Sequence, residues 1–484
     1  MLSLFEHAAD IIPEKYHNTT PVKYQASAGM RLIDESEQVA VYDALYEGLR
    51  ESDRFVFHSM KREDVATLGG IDEGLYGAVA VNYLKGVVGA DLKVKAKPQA
   101  AASGDENDEH QLHHHGPLGA LDMGGASAQI VYLPELAMGG GCEGGSCSPE
   151  EPHGSGNNDD GDADKTCSAS QSAFDRLNGD AFFSTSYLAY GADQFRERLW
   201  DVWIDDELKG ADPNACVAKE LTISNPCGFI GLEQKFKGFT FIGTGDAKIC
   251  SKQIRRLIPH HELIVGPETT DESTDLGFSE GGVVGVVGGV AHPPLRGIRF
   301  YAMSLFFFAL DCLRELSGHE ALHMNWPTPT LEEIDDALDG LCSRNWHGDL
   351  VDIGEQRMHR FTRADILPHR CMEAVYIATL LRHGFGFHPK ARDITFAFDV
   401  EGSEVEWSLG MALSEAGSLD WLSGEGEDED GAAGVVPLSI SISNGANGPT
   451  GANSDERKND SDTNATSKND CASQTCPSVW VEDR

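Results

Sequence analysis

A carboxylate, a stretch of nearly bare backbone and a carboxamide follow one another between Asp122 and Gln129. Apolar residues lead into Asp122. Gly124, Gly125, Ala126 and Ser127 are all small, and Gln129 precedes the apolar run 130–132. The pattern predicts a strand, a tight turn and a second strand. A turn with so little bulk lets a ligand come close to its backbone, and successive N–H groups in such a turn form an anion-binding nest. A carboxylate at the end of the adjoining strand is placed to hold a metal through water. The chemistry is that of a phosphate-plus-metal site, although a Gly-Gly pair alone more often marks an ordinary hairpin.

Two other segments offer groups that could complete such a site. In Gly70-Ile-Asp-Glu-Gly-Leu-Tyr-Gly77 the acidic residues Asp72 and Glu73 open an apolar helix running through Val79, Val81, Tyr83 and Leu84. Acidic residues at a helix N-terminus complement the helix dipole and need no further role. The functional reading makes Glu73 a carboxylate on a rigid element that takes a proton from water. The turn Ala26-Ser-Ala-Gly29 could present the Ser27 hydroxyl and backbone amides to a phosphate. Ser27 as a plain helix N-cap is the simpler reading of that turn alone. His113, His114 and His115 lie in a polar loop and read as solvated side chains.

The elements that must position these groups are legible from patterning. With 484 residues and 40% hydrophobic composition, the chain is long enough for two or three domains with a sizeable core. Its net charge of −40 excludes a nucleic-acid backbone as partner. Segment 1–50 reads as helix, short strand, helix. The stretch from Asp180 to Leu208 is Phe/Tyr-rich and then amphipathic, with a helix through Leu199 and Trp203. The aromatic cluster 300–308 reads as core, 331–341 and 370–381 as helices, 394–398 as a strand and 405–413 as a helix. Segments near 93–117 and 139–170 are low-complexity inserts, and 421–484 is an acidic tail expected to be disordered. Eleven cysteines without a CxxC pair are compatible with disulfides in a secretory compartment and equally with buried thiols. Asn18, Asn459 and Asn464 start glycosylation triplets if the chain is luminal. The N-terminus shows no signal peptide, and no apolar run reaches membrane-spanning length.

Taken together, these segments resemble the apyrase family, the nucleoside triphosphate diphosphohydrolases, in the family's order over most of residues 1–415. Gln25-Ala-Ser-Ala-Gly-Met-Arg-Leu-Ile33 resembles its second conserved region and Gly70–Gly77 with Asn82-Tyr-Leu84 its third. Ala120-Leu-Asp-Met-Gly-Gly-Ala-Ser-Ala-Gln129, a near-full match, resembles the fourth. Phe300-Tyr-Ala-Met-Ser-Leu-Phe-Phe307 and Trp407-Ser-Leu-Gly-Met-Ala-Leu413 are similar to later ones. The resemblance implies an α/β, actin-like fold of two RNase-H-like domains around a nucleotide cleft. Residues 1–69 plus 390–420 would form the first domain and 70–389 the second. It implies hydrolysis of nucleoside di- and triphosphates with Ca²⁺ or Mg²⁺. Glu73 would be the general base, Gln129 would orient the attacking water, and Asp122 would hold the metal through water. Gly124, Gly125, Ala126 and Ser127 would bind phosphate, with Ser27 and Ala28 contributing from the first domain. One of Phe306, Phe307 and Phe308, with Phe307 chosen, would stack on the base. It also implies disulfides Cys227–Cys250 and Cys342–Cys371, a monomer, and a place in the secretory pathway: the Golgi lumen, the cell exterior or a membrane anchored by a preceding segment.

The sequence departs from the family in one respect. The family's first conserved region, an Asp-x-Gly-Ser-Ser-x-Thr turn, does not precede Ala26, and Ala78 stands where the family typically has Trp. The first hairpin of the N-terminal domain is therefore expected to be missing and turnover by this chain to be small. A catalytically weak nucleotide-binding homologue and a related polyphosphate phosphatase are the alternatives.

Overall fold

A computed structural model describes residues 2–95, 117–134, 182–210, 222–259, 286–295, 297–355 and 359–418. The insert at 139–170 and the tail at 421–484 lie outside them, as does most of the insert at 93–117.

The first segment comprises α1 (Leu2–Ile11), β1 (Tyr24–Ala26), α2 (Glu35–Arg50) and β2 (Val65–Thr67). β1 and β2 pair in parallel, with Ala26 opposite Thr67. α2 buries Tyr42 and Leu49, seven residues apart and so on one stripe of the helix. They pack with Phe5, Phe55, Phe57, Met60 and Val65 into a small core of their own.

Helix α3 (Gly70–Leu84) follows at once and lies on the main sheet. Its inner face carries Gly74, Gly77, Ala78 and Val81, all buried. A side chain at position 74 would stand 2.8 Å from Val131 Cγ2, so the glycine is what lets the helix approach. That sheet is built from β3 (Gly119–Met123), β4 (Ser127–Tyr132), β5 (Phe183–Leu188), β11 (Phe300–Ala302) and β12 (Ile394–Phe396), in the order β12-β11-β3-β4-β5. β4 runs antiparallel to β3 and β5, whereas β11 and β12 run parallel to β3. This is the RNase-H-like topology expected. Between β5 and β11 come α4 (Ala192–Gly210), a three-stranded sheet of β6 (Thr222–Asn225), β7 (Glu233–Phe236) and β8 (Phe239–Gly243), α5 (Ala247–Leu257), and a short hairpin of β9 (Val286–Val287) and β10 (Val290–Ala291). After β11 come α6 (Leu305–Leu316), α7 (Leu331–Cys342) and α8 (Arg370–Thr379), which cover the far face of the sheet with an extensive apolar core. Both disulfides, Cys227–Cys250 and Cys342–Cys371, form as the resemblance implies.

One placement differs from the expected grouping of 390–420 with 1–69. Ile394 and Phe396 alternate inward with Thr395 between them, and the strand completes the sheet beside β11, Thr395 standing opposite Tyr301. Only α9 (Trp407–Ser418) behaves as a return. Trp407 and Met411 pack on Leu68, and Lys23 pairs with Glu415 at 2.7 Å. α9 also crosses α3 so closely that a side chain at Gly410 would clash with the Tyr76 carbonyl.

Candidate active site

Strand register brings the first polar groups together. Asp122 stands opposite Gln129 on β4, and Gln129 opposite Ser186 on β5. Directly opposed residues of antiparallel strands share a face, so these three form a row across three strands. It is the face on which α3 lies, and the first turn of α3 sets Glu73 over the row. Gln129 Nε2 donates to Glu73 Oε2 at 3.1 Å and lies 2.7 Å from Ser127 Oγ and 3.2 Å from Ser186 Oγ.

Glu73 is only 7% exposed. Burial, with the nearby Asp122 charge adding to it, raises its carboxyl to about 7, against the opposing pull of Arg31. The Arg31 guanidinium donates to Glu73 Oε2 at 2.5 Å and reaches Ser186 Oγ at 3.3 Å and Ser127 Oγ at 3.4 Å. A Cβ on Gly70 would collide with Arg31 Nη1 and Ser186 Oγ, so this glycine at the start of α3 leaves room for the cluster. A carboxyl poised near neutrality and hydrogen-bonded on one oxygen is suited to take a proton from water at physiological pH.

The hairpin turn 124–126 is held from one side by α4. The N–H groups of Ala192, Asp193 and Gln194, which have no partner inside their own helix, donate to the carbonyls of Gly124 and Gly125 at 3.0 Å. In a trans peptide the N–H points opposite to the C=O. The N–H groups of Gly125 and Ala126 therefore face away from α4, and beside Gly124 the space for a side chain is open. Gly191 makes this contact possible: a Cβ there would stand 2.3 Å from Ala126 N and 2.4 Å from Ser127 N.

Asp122 is half-buried at the C-terminal end of β3. Burial raises its carboxyl, while the Ser304 hydroxyl and the Met123 N–H donate to it and oppose that shift. Ser304 heads α6 with φ 53° and ψ −127°, a backbone conformation that costs a non-glycine residue of the order of 1–3 kcal/mol. Its hydroxyl is turned to Asp122 and does not cap its own helix. Burial likewise raises Glu406, with Glu404 and Asp122 adding to it. Among the described residues no set of three His, Cys, Asp or Glu side chains could hold a metal directly. A half-buried carboxylate with few protein ligands around it fits a divalent cation held largely by water and phosphate oxygens.

β3, β11 and β12 are parallel and end together, and ligands bind outside the carboxyl ends of such strands. There Phe307, 7% exposed, packs among Phe308, Trp326, Phe361 and Phe398. Phe308, Phe361 and Phe398 are half-buried, with ring centroids 5.2–5.9 Å apart, and present the open part of this aromatic face.

The structure thus gathers Glu73, Asp122, Ser127 and Gln129, with Gly124, Gly125 and Ala126 beside them. The Ser27 turn stands near them through Arg31. Ala28 is buried, and among the described residues the Ser27 hydroxyl has no hydrogen-bond partner. Nor does Ser27 cap the short helical turn after it, whose N-cap is Gly29. Sequence reasoning missed Arg31, Ser186, Gly191 and Ser304. Arg31 was in view inside Gln25–Ile33. The signal for Ser186 was a small polar residue at the alternate positions 184 and 186, between Phe183, Thr185 and Tyr187.

The sequence model of the GDA1/CD39 (nucleoside phosphatase) family matches residues 1–424. The chain is 26% identical over 461 residues to an ectonucleoside triphosphate diphosphohydrolase 8 of Bos taurus, covering 90% of this chain and 76% of that one. It is 24% identical to the Golgi apyrase of Saccharomyces cerevisiae, covering 90% of this chain and 61% of that one. A nucleoside triphosphate hydrolase from Neospora caninum aligns structurally with a TM-score of 0.47 at 16% identity, over 84% of this chain and 74% of that one.

Proposed function

The chain belongs to the GDA1/CD39 family of nucleoside phosphatases, and from that premise we propose that it hydrolyses the terminal phosphate of nucleoside tri- and diphosphates with Glu73 as general base. The observation that carries this reading is the buried Glu73 carboxyl, raised to about 7 and held by Arg31 and Gln129 beside a turn whose Gly125 and Ala126 N–H groups face away from α4. Phosphoryl transfer asks little covalent chemistry of a protein; positioning and charge neutralisation supply most of the catalysis. The Gly125 and Ala126 amides and the Ser127 hydroxyl bind the phosphate to be released. Glu73 accepts the proton of the attacking water, and Gln129 fixes the direction in which that water's lone pair points. Arg31 pulls the Glu73 carboxyl down against the effect of burial and offers a cation to the phosphate.

Asp122 would hold a divalent cation through water, with Ser304 fixing its carboxylate; when bound, the ion neutralises charge on the phosphate chain. Calcium and magnesium both suit oxygen ligands of this kind. Phe307 supports the aromatic face on which the base stacks, and that face favours a nucleoside over a bare polyphosphate. Two disulfides suit an oxidising compartment, and relatives named for the cell exterior and the Golgi suggest the secretory pathway. Among the described residues no helix is long and apolar enough to cross a membrane.

Release of inorganic phosphate from ATP and ADP tests the proposal, measured with Ca²⁺ or Mg²⁺ and again after chelation. The reading expects metal-dependent release from both nucleotides, and metal-independent release, or none from either, overturns it.

A further inference from the structure

The aromatic face is built from two kinds of element. Phe307 and Phe308 stand on α6, and Phe398 follows β12 directly. Phe361, in contrast, sits on a turn, residues 359–362, outside any regular helix or strand. A turn of this kind costs roughly 1–2 kcal/mol of backbone entropy per residue to hold in one conformation. Ring contacts to Phe307, Phe308 and Phe398 fix where Phe361 packs but not the backbone that carries it.

Buried polar groups hold that backbone at both ends. On one side, Asp311 lies three and four residues after Phe308 and Phe307, on the same side of α6. It is 3% exposed. Its Oδ1 accepts from Arg314 Nε at 3.1 Å and Nη2 at 2.6 Å, and its Oδ2 lies 3.3 Å from His359 Nε2. His359 is itself buried, and among the described residues neither of its ring nitrogens makes a hydrogen bond, so Nε2 meets Asp311 by proximity alone. Burial alone would raise the Asp311 carboxyl, but the nearby His359 ring and the Arg314 hydrogen bonds outweigh it and hold the group below the usual range. On the other side, Arg370 of α8 donates from Nε to Thr362 Oγ1 at 3.0 Å and from Nη2 to the Phe361 carbonyl at 3.3 Å. Its Nη1 is spent on Glu373 at 2.6 Å. Phe361 therefore hangs between two buried anchors, one on each flanking helix.

We propose that the His359–Asp311 pair is a latch that holds Phe361 in the aromatic face, which makes His359 a positioning residue for the nucleoside end of the substrate. The proposal rests on the reading of this site as a nucleotide site. Buried polar contacts of this kind add little net stability over apolar packing, and their clearest use is to select one arrangement. Here the arrangement selected is the position of one ring. The latch touches no phosphate-binding group, so its loss falls on recognition of the base and leaves the phosphate chemistry intact.

The test measures KM and kcat for ADP and for inorganic tripolyphosphate in the full chain and in His359→Ala, Phe361→Ala and the double variant, with Asp311→Asn as a second way to open the latch and melting temperature as a check on folding. The latch predicts that each single variant raises KM for ADP roughly 5- to 100-fold, the range expected when one aromatic–base stack is lost. kcat and the tripolyphosphate parameters should stay within about twofold, and the double variant should be no worse than Phe361→Ala alone. Equal losses on ADP and tripolyphosphate, or a His359→Ala enzyme with unchanged KM beside an impaired Phe361→Ala enzyme, would overturn the latch while leaving the nucleotide reading in place. If the parent chain hydrolyses tripolyphosphate and not ADP, the nucleotide reading fails and the latch with it.

Discussion

Two turns approach Glu73, and they are held very differently. The turn 124–126 sits at the end of the central strand of a five-stranded sheet, and three helix N–H groups grip its carbonyls. The turn 27–29 follows a three-residue strand paired only with β2, and its link to the site is one long side chain, Arg31. The first is preorganised, so its amides cost no reorganisation when phosphate charge develops. The second is adjustable, since an arginine can leave a carboxylate for a phosphate without backbone movement. The comparison assigns the rate to the rigid side and tuning to the adjustable side.

The largest expected effect follows from breaking the rigid side. Gly191→Ala places a methyl group 2.3 Å from Ala126 N and forces the turn to shift, with a cost in kcat on the order of 100-fold, as for loss of backbone-type electrostatic stabilisation. Overpacking of this kind should also lower stability by about 1–3 kcal/mol. Wild-type kcat in that variant would show that the contact with α4 is dispensable. Arg31→Ala comes next. Arg31 lowers the Glu73 pKa, so its removal should move the acid limb of the rate profile upward from about 7. A limb that stays in place or moves down would deny the pairing. Ser27→Ala should cost less than about tenfold in kcat/KM, the worth of one neutral hydrogen bond; a loss matching that of Gly191→Ala would erase the distinction between the two turns. Smallest is Lys23→Ala. Its pair with Glu415 is about a third exposed on each side, and double-mutant analysis of melting should find at most about 1 kcal/mol.

How much of this was legible depended on whether the determinant was local. The strand, turn and strand around Asp122 could be read because periodicity and small residues encode them within ten positions, and Glu73 because its helix begins at a glycine pair. Arg31, Ser186 and Ser304 were not, since each acquires its role from register or from a fold contact at least 42 residues away in sequence. Ser186 matters because β5 pairs with β4 in one particular register, and a slip of one residue would turn it to the other face. The strand 394–396 was assigned to the wrong partner for the same reason: three residues carry no record of which sheet they complete. The disulfides came from resemblance, since eleven cysteines leave connectivity open.

The most direct test is the pH dependence of kcat/KM in wild type and in Glu73→Gln, with melting curves at pH 5 and pH 8. A general base with its carboxyl at about 7 gives a rate that rises through that pH. Glu73→Gln should lose at least about 100-fold and retain no such limb. Because the folded carboxyl lies above its ordinary 4.5, Glu73 contributes most to stability below pH 4.5, and that contribution is lost as pH rises through about 7. The variant should therefore match or exceed the wild-type melting temperature at pH 8 while being nearly inactive. A Glu73→Gln enzyme with near-normal turnover, or one that keeps the limb near pH 7, would contradict the role given to Glu73.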